Sequence, residues 1–404
     1  YEGAVHVPDP VMMLPAQKYA ELAGESCGKN SVVTYLLDKS SAKTKVAEFV
    51  SDVTGKPLHE VPQGFNSWSG IISDALLKLG AAKGQFAQVL ERERLKAVYR
   101  AERMETELSA LVALFESEKI DHLPLKGAVI RRLYPETWMR TSSDIDILVH
   151  PEDAERAATL AAERLGYKRD GTTKHDLQLF SPSGLHFELH FVLLEGDKKI
   201  DGVLEKVWEH TKGGHSKELD GEMFLFYHVA HMAKHLENGG CGIRPLLDLW
   251  IIGQSGNIDG DSARKLLEFG GLGKFFCEAK SLCRSWFGET EPTDVARELG
   301  EYILGAGVYG NLENRVAVGQ TKRGGKLGYA LSRIFLPYST LKVHYPILKK
   351  HKWLFPFCQI RRWFKLLFFG GVSRSLDELK ANASTTDEKQ KKTYSLFSNL
   401  GLRE

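Results

Sequence analysis

The run Ser142-Ser143-Asp144-Ile145-Asp146-Ile147-Leu148-Val149 alternates acidic and aliphatic side chains. On a β-strand successive side chains point to opposite faces, so Asp144 and Asp146 share one face and Ile145, Ile147 and Val149 go to the other, into a core. Carboxylates ~7 Å apart along a strand can hold hard cations between them. Mg²⁺ in particular combines carboxylate oxygens with substrate phosphates. A lone Asp-x-Asp is more often two solvated side chains on an exposed edge, so its neighbours decide the matter. The stretch Leu185-His186-Phe187-Glu188-Leu189-His190-Phe191 also alternates. Its polar face carries His186, Glu188 and His190, and its apolar face the leucines and phenylalanines. If this strand lies beside the aspartate strand, Glu188 completes a cluster of three acids. Such a cluster repels itself unless a cation neutralises it.

A third piece precedes these two. In Leu123-Pro124-Leu125-Lys126-Gly127-Ala128 a short apolar run passes into a helix through Lys-Gly, 17 residues before Asp144. Helix N-termini present free N–H groups, a glycine lets a phosphate approach the backbone, and a lysine adds a point charge. The gap fits one helix and a return loop, and Arg140 sits in that loop, either within reach of phosphate or as an ordinary surface arginine. On a later helix, His228, His231 and His235 recur at i, i+3 and i+7, with Lys234 beside them and Arg244 and Asp248 following. They suit a metal site, a cleft lining or plain helix packing. The zinc-protease pattern HExxH is absent, because Met232 follows His231.

Further on, charge is unevenly placed. Net charge is only +2, yet no Asp or Glu occurs from Thr321 to Leu376, while twelve Lys and Arg lie between Lys322 and Arg374. Within this stretch Lys349, Lys350, Lys352, Arg361, Arg362 and Lys365 interleave with Trp353, Phe355, Phe357, Trp363 and Phe364. An anionic partner is expected through residues 321–374: a nucleic-acid strand on an aromatic platform, or a membrane surface under an in-plane helix. A packed helix with a wet basic face is the plainer account.

The elements that must position these groups follow from periodicity. Residues 1–85 read as a mostly helical accessory region, entered through Pro8, Pro10 and Pro15, with a short amphipathic helix over Lys45–Val50 and a loop over Gly64–Gly70. Phe86–Lys119 is strongly helical, with Leu90, Leu95, Val98, Met104, Leu108, Leu111, Val112 and Leu114 at helical spacing. Then come a strand over Ile120–Leu125, a helix over Ala128–Tyr134, a strand over Ser143–Val149, a helix over Glu152–Leu165, and a hairpin of Asp176–Phe180 and Leu185–Leu193. Helices return over Phe224–Leu236, Pro245–Gly253 and Ser262–Trp286, and the segment Asn382–Lys392 reads as a mobile polar tail. The domains expected are residues 86–215 for the α/β catalytic part, 216–310 for a helical part lining the cleft, and 311–404 for a basic aromatic helical region.

Composition is that of a globular chain, with 404 residues, 43% hydrophobic and 26% charged, and it excludes disorder, collagen and low-complexity arrays. No apolar window is long enough for a transmembrane helix. The chain opens on Tyr1, as a trimmed product would, and no leader segment is expected. Cys27, Cys241, Cys277, Cys283 and Cys358 are scattered and form no CxxC pair, which favours a reducing, cytoplasmic setting.

Lys126-Gly127, Asp144-Ile145-Asp146 and Glu188 resemble, in order and spacing, the nucleotidyltransferase superfamily with its DNA-polymerase-β-like fold. The likeness is greatest to the bacterial branch described as uncharacterised nucleotidyltransferases, through Leu125-Lys126-Gly127, Arg140 before the aspartates, and Glu188-Leu189-His190. It extends from about residue 90 to the Arg361-Arg362 segment. The chain departs from many members in having Ala128 where they have Ser or Gly after the turn glycine, so Lys126 stands in for a hydroxyl contact to phosphate. The resemblance implies an α+β fold: a small mixed-sheet catalytic domain flanked by helical regions. It implies Mg²⁺, two ions with Mn²⁺ as an alternative, on Asp144, Asp146 and Glu188. It implies an NTP held near Lys126, Gly127, Arg140, Ser143, His231 and His235, and transfer of NMP to an acceptor. That acceptor is a small molecule, a sugar or lipid phosphate, a tRNA or a protein. The competing expectations are a non-catalytic nucleotide- or nucleic-acid-binding module and a membrane-associated interaction protein, with location cytoplasmic or peripheral at a membrane.

Overall fold

The computed structural model describes residues 69–78, 84–194, 197–256, 258–288, 290–306, 310–369 and 372–403. The proline-rich entry and the helix expected over Lys45–Val50 lie outside the described residues. Two compact units emerge. One comprises residues up to Met232 together with Ile243–Arg297, and the other Ala233–Gly242 with Glu298–Glu404.

The first unit begins with α1 (Ser69–Lys78) and α2 (Gly84–Ser117). Helix α1 includes Ser69 and Gly70, so the expected loop over Gly64–Gly70 is helical at its end. On α2 the buried side chains are Leu90, Ala97, Ala101, Met104, Leu108, Leu111 and Phe115, one stripe at helical spacing. Leu95, counted in that stripe from the sequence, is exposed.

Five strands follow: β1 (His122–Pro124), β2 (Asp144–Val149), β3 (Lys168–Thr172), β4 (Asp176–Phe180) and β5 (His186–His190). They form one mixed sheet in the order β1-β2-β5-β4-β3, in which only the β2–β5 pair is parallel. The expected β4–β5 hairpin is present. Strand β3 was not foreseen. Its residues Lys168-Arg169-Asp170-Gly171-Thr172 are all exposed and carry no alternation, as suits an edge strand. The helix expected over Ala128–Tyr134 is only a short turn, α3 (Gly127–Ile130), continued as a 3₁₀ turn over Arg131–Leu133. Helix α4 (Ala154–Leu165) ends at Gly166, whose φ of 72° is the left-handed stop that glycine favours.

One sheet face is the core. Ile145, Ile147 and Val149 of β2, Leu177 and Leu179 of β4, and Phe187 and Leu189 of β5 pack against Leu108, Leu111 and Phe115 of α2 and Ala157, Ala158 and Ala161 of α4. The small alanines let α4 approach the sheet closely. Because side chains alternate, this burial drives Asp144, Asp146, His186, Glu188 and His190 to the opposite face.

The first unit also holds α5 (Lys198–Leu204), the ribbon β6 (Thr211–Gly213) and β7 (Lys217–Leu219), most of α6 (Gly221–Glu237), α7 (Arg244–Gln254), α8 (Gly260–Phe269) and α9 (Gly273–Phe287). Beyond α10 (Asp294–Ala306), the second unit contains α11 (Leu312–Lys322), α12 (Lys326–Ile334), α13 (Tyr338–His344), α14 (Phe355–Phe369), α15 (Val372–Ser384) and α16 (Asp387–Asn399). The mobile tail expected over Asn382–Lys392 is instead helical. Buried Gln320 donates to the Asn382 side chain at 2.9 Å and its carbonyl at 3.0 Å, and the Thr386 hydroxyl accepts from the Lys389 N–H and caps α16. Among the described residues no helix is long and apolar enough to cross a membrane.

Candidate active site

The parallel β2–β5 register pairs Asp144 with His186 and Asp146 with Glu188. The third carboxylate therefore stands across from the second aspartate. Two overlapping groups of possible ligand atoms result, Asp144–His186–Glu188 and Asp146–Glu188–His190, each within 4.8 Å. They share Glu188, and they are the groups of this kind found among the described residues.

Asp146 is the anchored member. Lys126 Nζ donates to its Oδ1 at 2.7 Å, and His190 Nε2 lies 2.8 Å from the same oxygen. An ionised carboxylate only accepts, so His190 carries its proton on Nε2. His190 Nε2 also lies 3.3 Å from Glu188, and His186 Nδ1 3.9 Å from Glu188. Burial alone would raise the Asp146 pKa, but Lys126 and His190 outweigh it and hold the group well below the usual carboxylate range. The reverse holds for Asp144, whose pKa is raised by burial and then by the charges of Asp146 and Glu188, against the pull of Lys126. Two aspartates two residues apart thus differ in how well their charge is compensated.

Lys126 reaches Asp146 through an unusual backbone. Its φ of 46° and ψ of −121° lie where glycine normally sits, at the first central position of a type II′ turn. Such conformations cost about 1–3 kcal/mol and persist only when the surroundings impose them. Here Leu125 N–H donates to Asp146 O at 2.9 Å, and Lys126 O accepts from Val129 and Ile130. Burial would discharge the Lys126 ammonium, but Tyr227, Asp146 and Asp144 around it raise its pKa. Tyr227, from α6, is itself buried, and its phenol is pushed up to about 12 by burial, with Lys126 opposing.

Gly127 also has a packing reason. A Cβ there would meet the Ser142 side chain at 3.2 Å. Buried Arg131 ties this contact together. Its Nε donates to Gly127 O and its Nη2 to Ser142 Oγ, both at 2.9 Å. The glycine lets the loop leading into β2 close down on α3.

Arg140 is partly buried beside Asp248 of α7. Its Nε donates to both carboxylate oxygens, at 2.8 and 3.0 Å, and Tyr134 donates to Asp248 at 2.7 Å. Arg140 Nη1 and Arg244 Nη1 both donate to Thr141 O, at 2.6 and 3.0 Å. Burial opposes both charges, yet their pairing keeps the Asp248 pKa lowered and the Arg140 pKa raised. This network clamps the loop that delivers Asp144. Ser143 is exposed at the mouth of β2, with its hydroxyl 3.3 Å from Asp144.

The three histidines of α6 go to different environments. His228 is buried with Nε2 2.8 Å from Pro245 O, a packing role. His231 lies 6.2 Å, ring to ring, from Tyr227, and His235 is exposed in the last turn. They do not form one of the close ligand groups.

Sequence reasoning missed Tyr227, which carries no mark among the aromatics of α6, and Asp176. In the β4–β5 ladder Asp176 stands across from His190. His190 Nδ1 and Asp176 Oδ1 are both buried without a hydrogen bond. A cation at His190 Nε2 would leave the imidazole proton on Nδ1, and a metal-bound histidine commonly gives that N–H to a carboxylate, so this orphaned pair, the shared Glu188 and the poorly compensated Asp144 all fit a cation at this face.

A family described as uncharacterised nucleotidyltransferase matches residues 69–288, more than half of the chain. The chain belongs to that family. The match starts earlier than residue 90 and stops short of Arg361-Arg362, to which the likeness was expected to extend. No curated protein and no solved structure matches.

Proposed function

We propose that this protein is a divalent-metal-dependent nucleotidyltransferase that moves an NMP group from an NTP to a hydroxyl or phosphate acceptor. The observation that carries this reading is the Asp146–Glu188 register, which adds a third carboxylate to Asp-x-Asp in a chain of this family. Asp144, Asp146 and Glu188 would hold the cation, with His186 and His190 as further donors. The two groups sharing Glu188 suit two ions, and the carboxylate-rich donor set favours Mg²⁺, with Mn²⁺ accommodated by imidazole. A cation bound there supplies charge neutralisation at the phosphates and activation of the attacking oxygen.

The chain's own groups do the positioning. The acceptor oxygen forms a bond to the α-phosphorus, the bond to the β-phosphate breaks, and pyrophosphate leaves. Glu188 takes the proton that a hydroxyl acceptor loses. Lys126, which donates to Asp146, supplies a counter-charge for the triphosphate. Ser143 and His231 border the nucleotide, and Arg140 acts through Asp248 by fixing the loop before Asp144.

The test is transfer of α-labelled NTPs in Mg²⁺ or Mn²⁺, with RNA, lipid-phosphate, sugar-phosphate and protein acceptors. Label should move in the wild type and not in Asp144→Ala, Asp146→Ala or Glu188→Gln. Transfer that survives loss of both aspartates, or no NTP binding and no transfer under any condition, would overturn the proposal.

A further inference from the structure

Nine of the fifteen large hydrophobic side chains exposed among the described residues lie between Leu327 and Phe364 of the second unit. They are ordered. On α12, Leu327, Leu331 and Ile334 are exposed at i, i+4 and i+7, and Leu327 is 74% accessible. On α14, Phe357, Ile360 and Phe364 are exposed at i, i+3 and i+7. Each helix therefore turns an apolar stripe toward solvent, the reverse of the usual amphipathic arrangement.

The two helices are fastened side by side by their other groups. Arg362 Nη1 and Trp363 Nε1 each donate to Ile334 O at 2.9 Å, and Arg362 Nη2 donates to Arg333 O at 2.8 Å. The Phe335 and Trp363 rings meet edge to face at 5.4 Å. Beneath α14, Cys358 joins Leu341 and Leu348 in a small core. The exposed stripes are thus held by a packed scaffold. Trp353, 69% exposed, meets Phe357 at 6.2 Å and extends the α14 stripe. Lys349, Lys350, Lys352, Arg361 and Lys365 stand exposed around it, in a stretch free of acids from Thr321 to Leu376.

We propose that this α12–α14 surface docks on an anionic lipid membrane, lying in its interfacial plane. The combination of an apolar stripe, a tryptophan and flanking basic residues is that of an interfacial helix. Charge complementarity selects the occupant. On α12 Arg333 is paired with Glu378 and Lys326 faces Asp387, but the Lys349–Lys365 side carries an excess of positive charge that repels a second copy of itself and is attracted to a negatively charged leaflet. Five of the nine exposed side chains are aliphatic and offer no ring for a base to stack on, which disfavours a nucleic-acid strand. This docking is independent of the nucleotide chemistry.

The test is co-sedimentation of the full chain with phosphatidylcholine vesicles, with and without phosphatidylglycerol. Binding should require the anionic lipid and weaken with salt. Trp353→Ser and Phe357→Ser should each lower the partition coefficient about tenfold, and Lys349→Glu and Lys350→Glu about fivefold each. Circular dichroism and NTP transfer should stay those of the wild type. Brominated acyl chains should quench wild-type fluorescence more than that of Trp353→Phe, a readout that does not depend on the serine variants. No binding to anionic vesicles overturns the proposal. So does binding unchanged in Trp353→Ser and Phe357→Ser, retention of single-stranded RNA in place of vesicles, or a dimer that Phe357→Ser dissolves.

Discussion

The polar face of the β2–β5 pair and the outer face of α12 and α14 are opposites in charge and in rigidity. The first gathers Asp144, Asp146 and Glu188 with a single lysine among them, on strands whose other faces are locked in the core. The second gathers lysines and arginines around an apolar stripe, in a stretch of sequence without an acid and with Glu378 and Asp387 of the following helices engaging only Arg333 and Lys326 of α12. Both excesses ask for a partner of opposite charge. The buried cluster fixes its groups before the partner arrives, which favours geometry and chemistry. The exposed one leaves its long side chains free to adapt, which favours attachment to a surface.

The sharpest way to break this contrast is Asp146→Asn. It removes the acid that Lys126 and His190 both engage, and label transfer should fall by roughly 10²–10³-fold or more. Lys349→Glu in the second region should leave transfer unchanged in the same assay. Next in size is Asp248→Ala. It leaves the partly buried Arg140 guanidinium and the buried Tyr134 hydroxyl without their acceptor, and urea unfolding should show a loss of about 3–5 kcal/mol.

Metal should act on the first region alone. At ~100 times its Kd, Mg²⁺ or Mn²⁺ should stabilise the wild type by about 2.7 kcal/mol, and do far less for Asp144→Asn. Without metal, Asp144→Asn should be the more stable protein at neutral pH, by about 0.5–2 kcal/mol. The sign follows from its pKa, raised by burial and by Asp146 and Glu188. The folded state then binds more protons than the unfolded one, so this group's stabilisation is complete below the unfolded pKa and disappears as pH rises through the folded one. Asp146 behaves oppositely. Its lowered pKa contributes stability present above the unfolded value and lost as pH falls through the folded one. A metal-free stability profile of the wild type against Asp144→Asn separates the two.

The smallest effect sharpens the contrast at the backbone. Lys126→Gly relieves the positive φ that Lys126→Ala retains, so the glycine variant should be the more stable of the two by about 1 kcal/mol. Both should lose the charge and its effect on transfer alike.

Much of the first region was legible because alternation is a local signal. Ile145, Ile147, Phe187 and Leu189 had to face a core, and that fixed the side on which Asp144, Asp146 and Glu188 appear. The adjacency of β2 and β5 is not legible in the sequence, since parallel pairing leaves no mark on either strand. In the sequence Asp248 stands out only as following Arg244 after the histidine helix, because its contact with Arg140 across more than a hundred residues has no periodicity. The Asn382–Lys392 segment has a composition that suits a loose tail, yet Asn382 is held by buried Gln320, a long-range contact that leaves no local pattern. Edge strand β3 had no pattern to read.

The parallel pairing of β2 with β5 also sets a schedule. Parallel neighbours need a long crossover, here α4, β3 and β4. Asp144 and Asp146 therefore leave the ribosome well before Glu188 and His190. Until the hairpin returns to close the gap, the nascent chain carries two aspartates without their third acid, so the same strand pairing that completes the sheet also completes the acidic cluster.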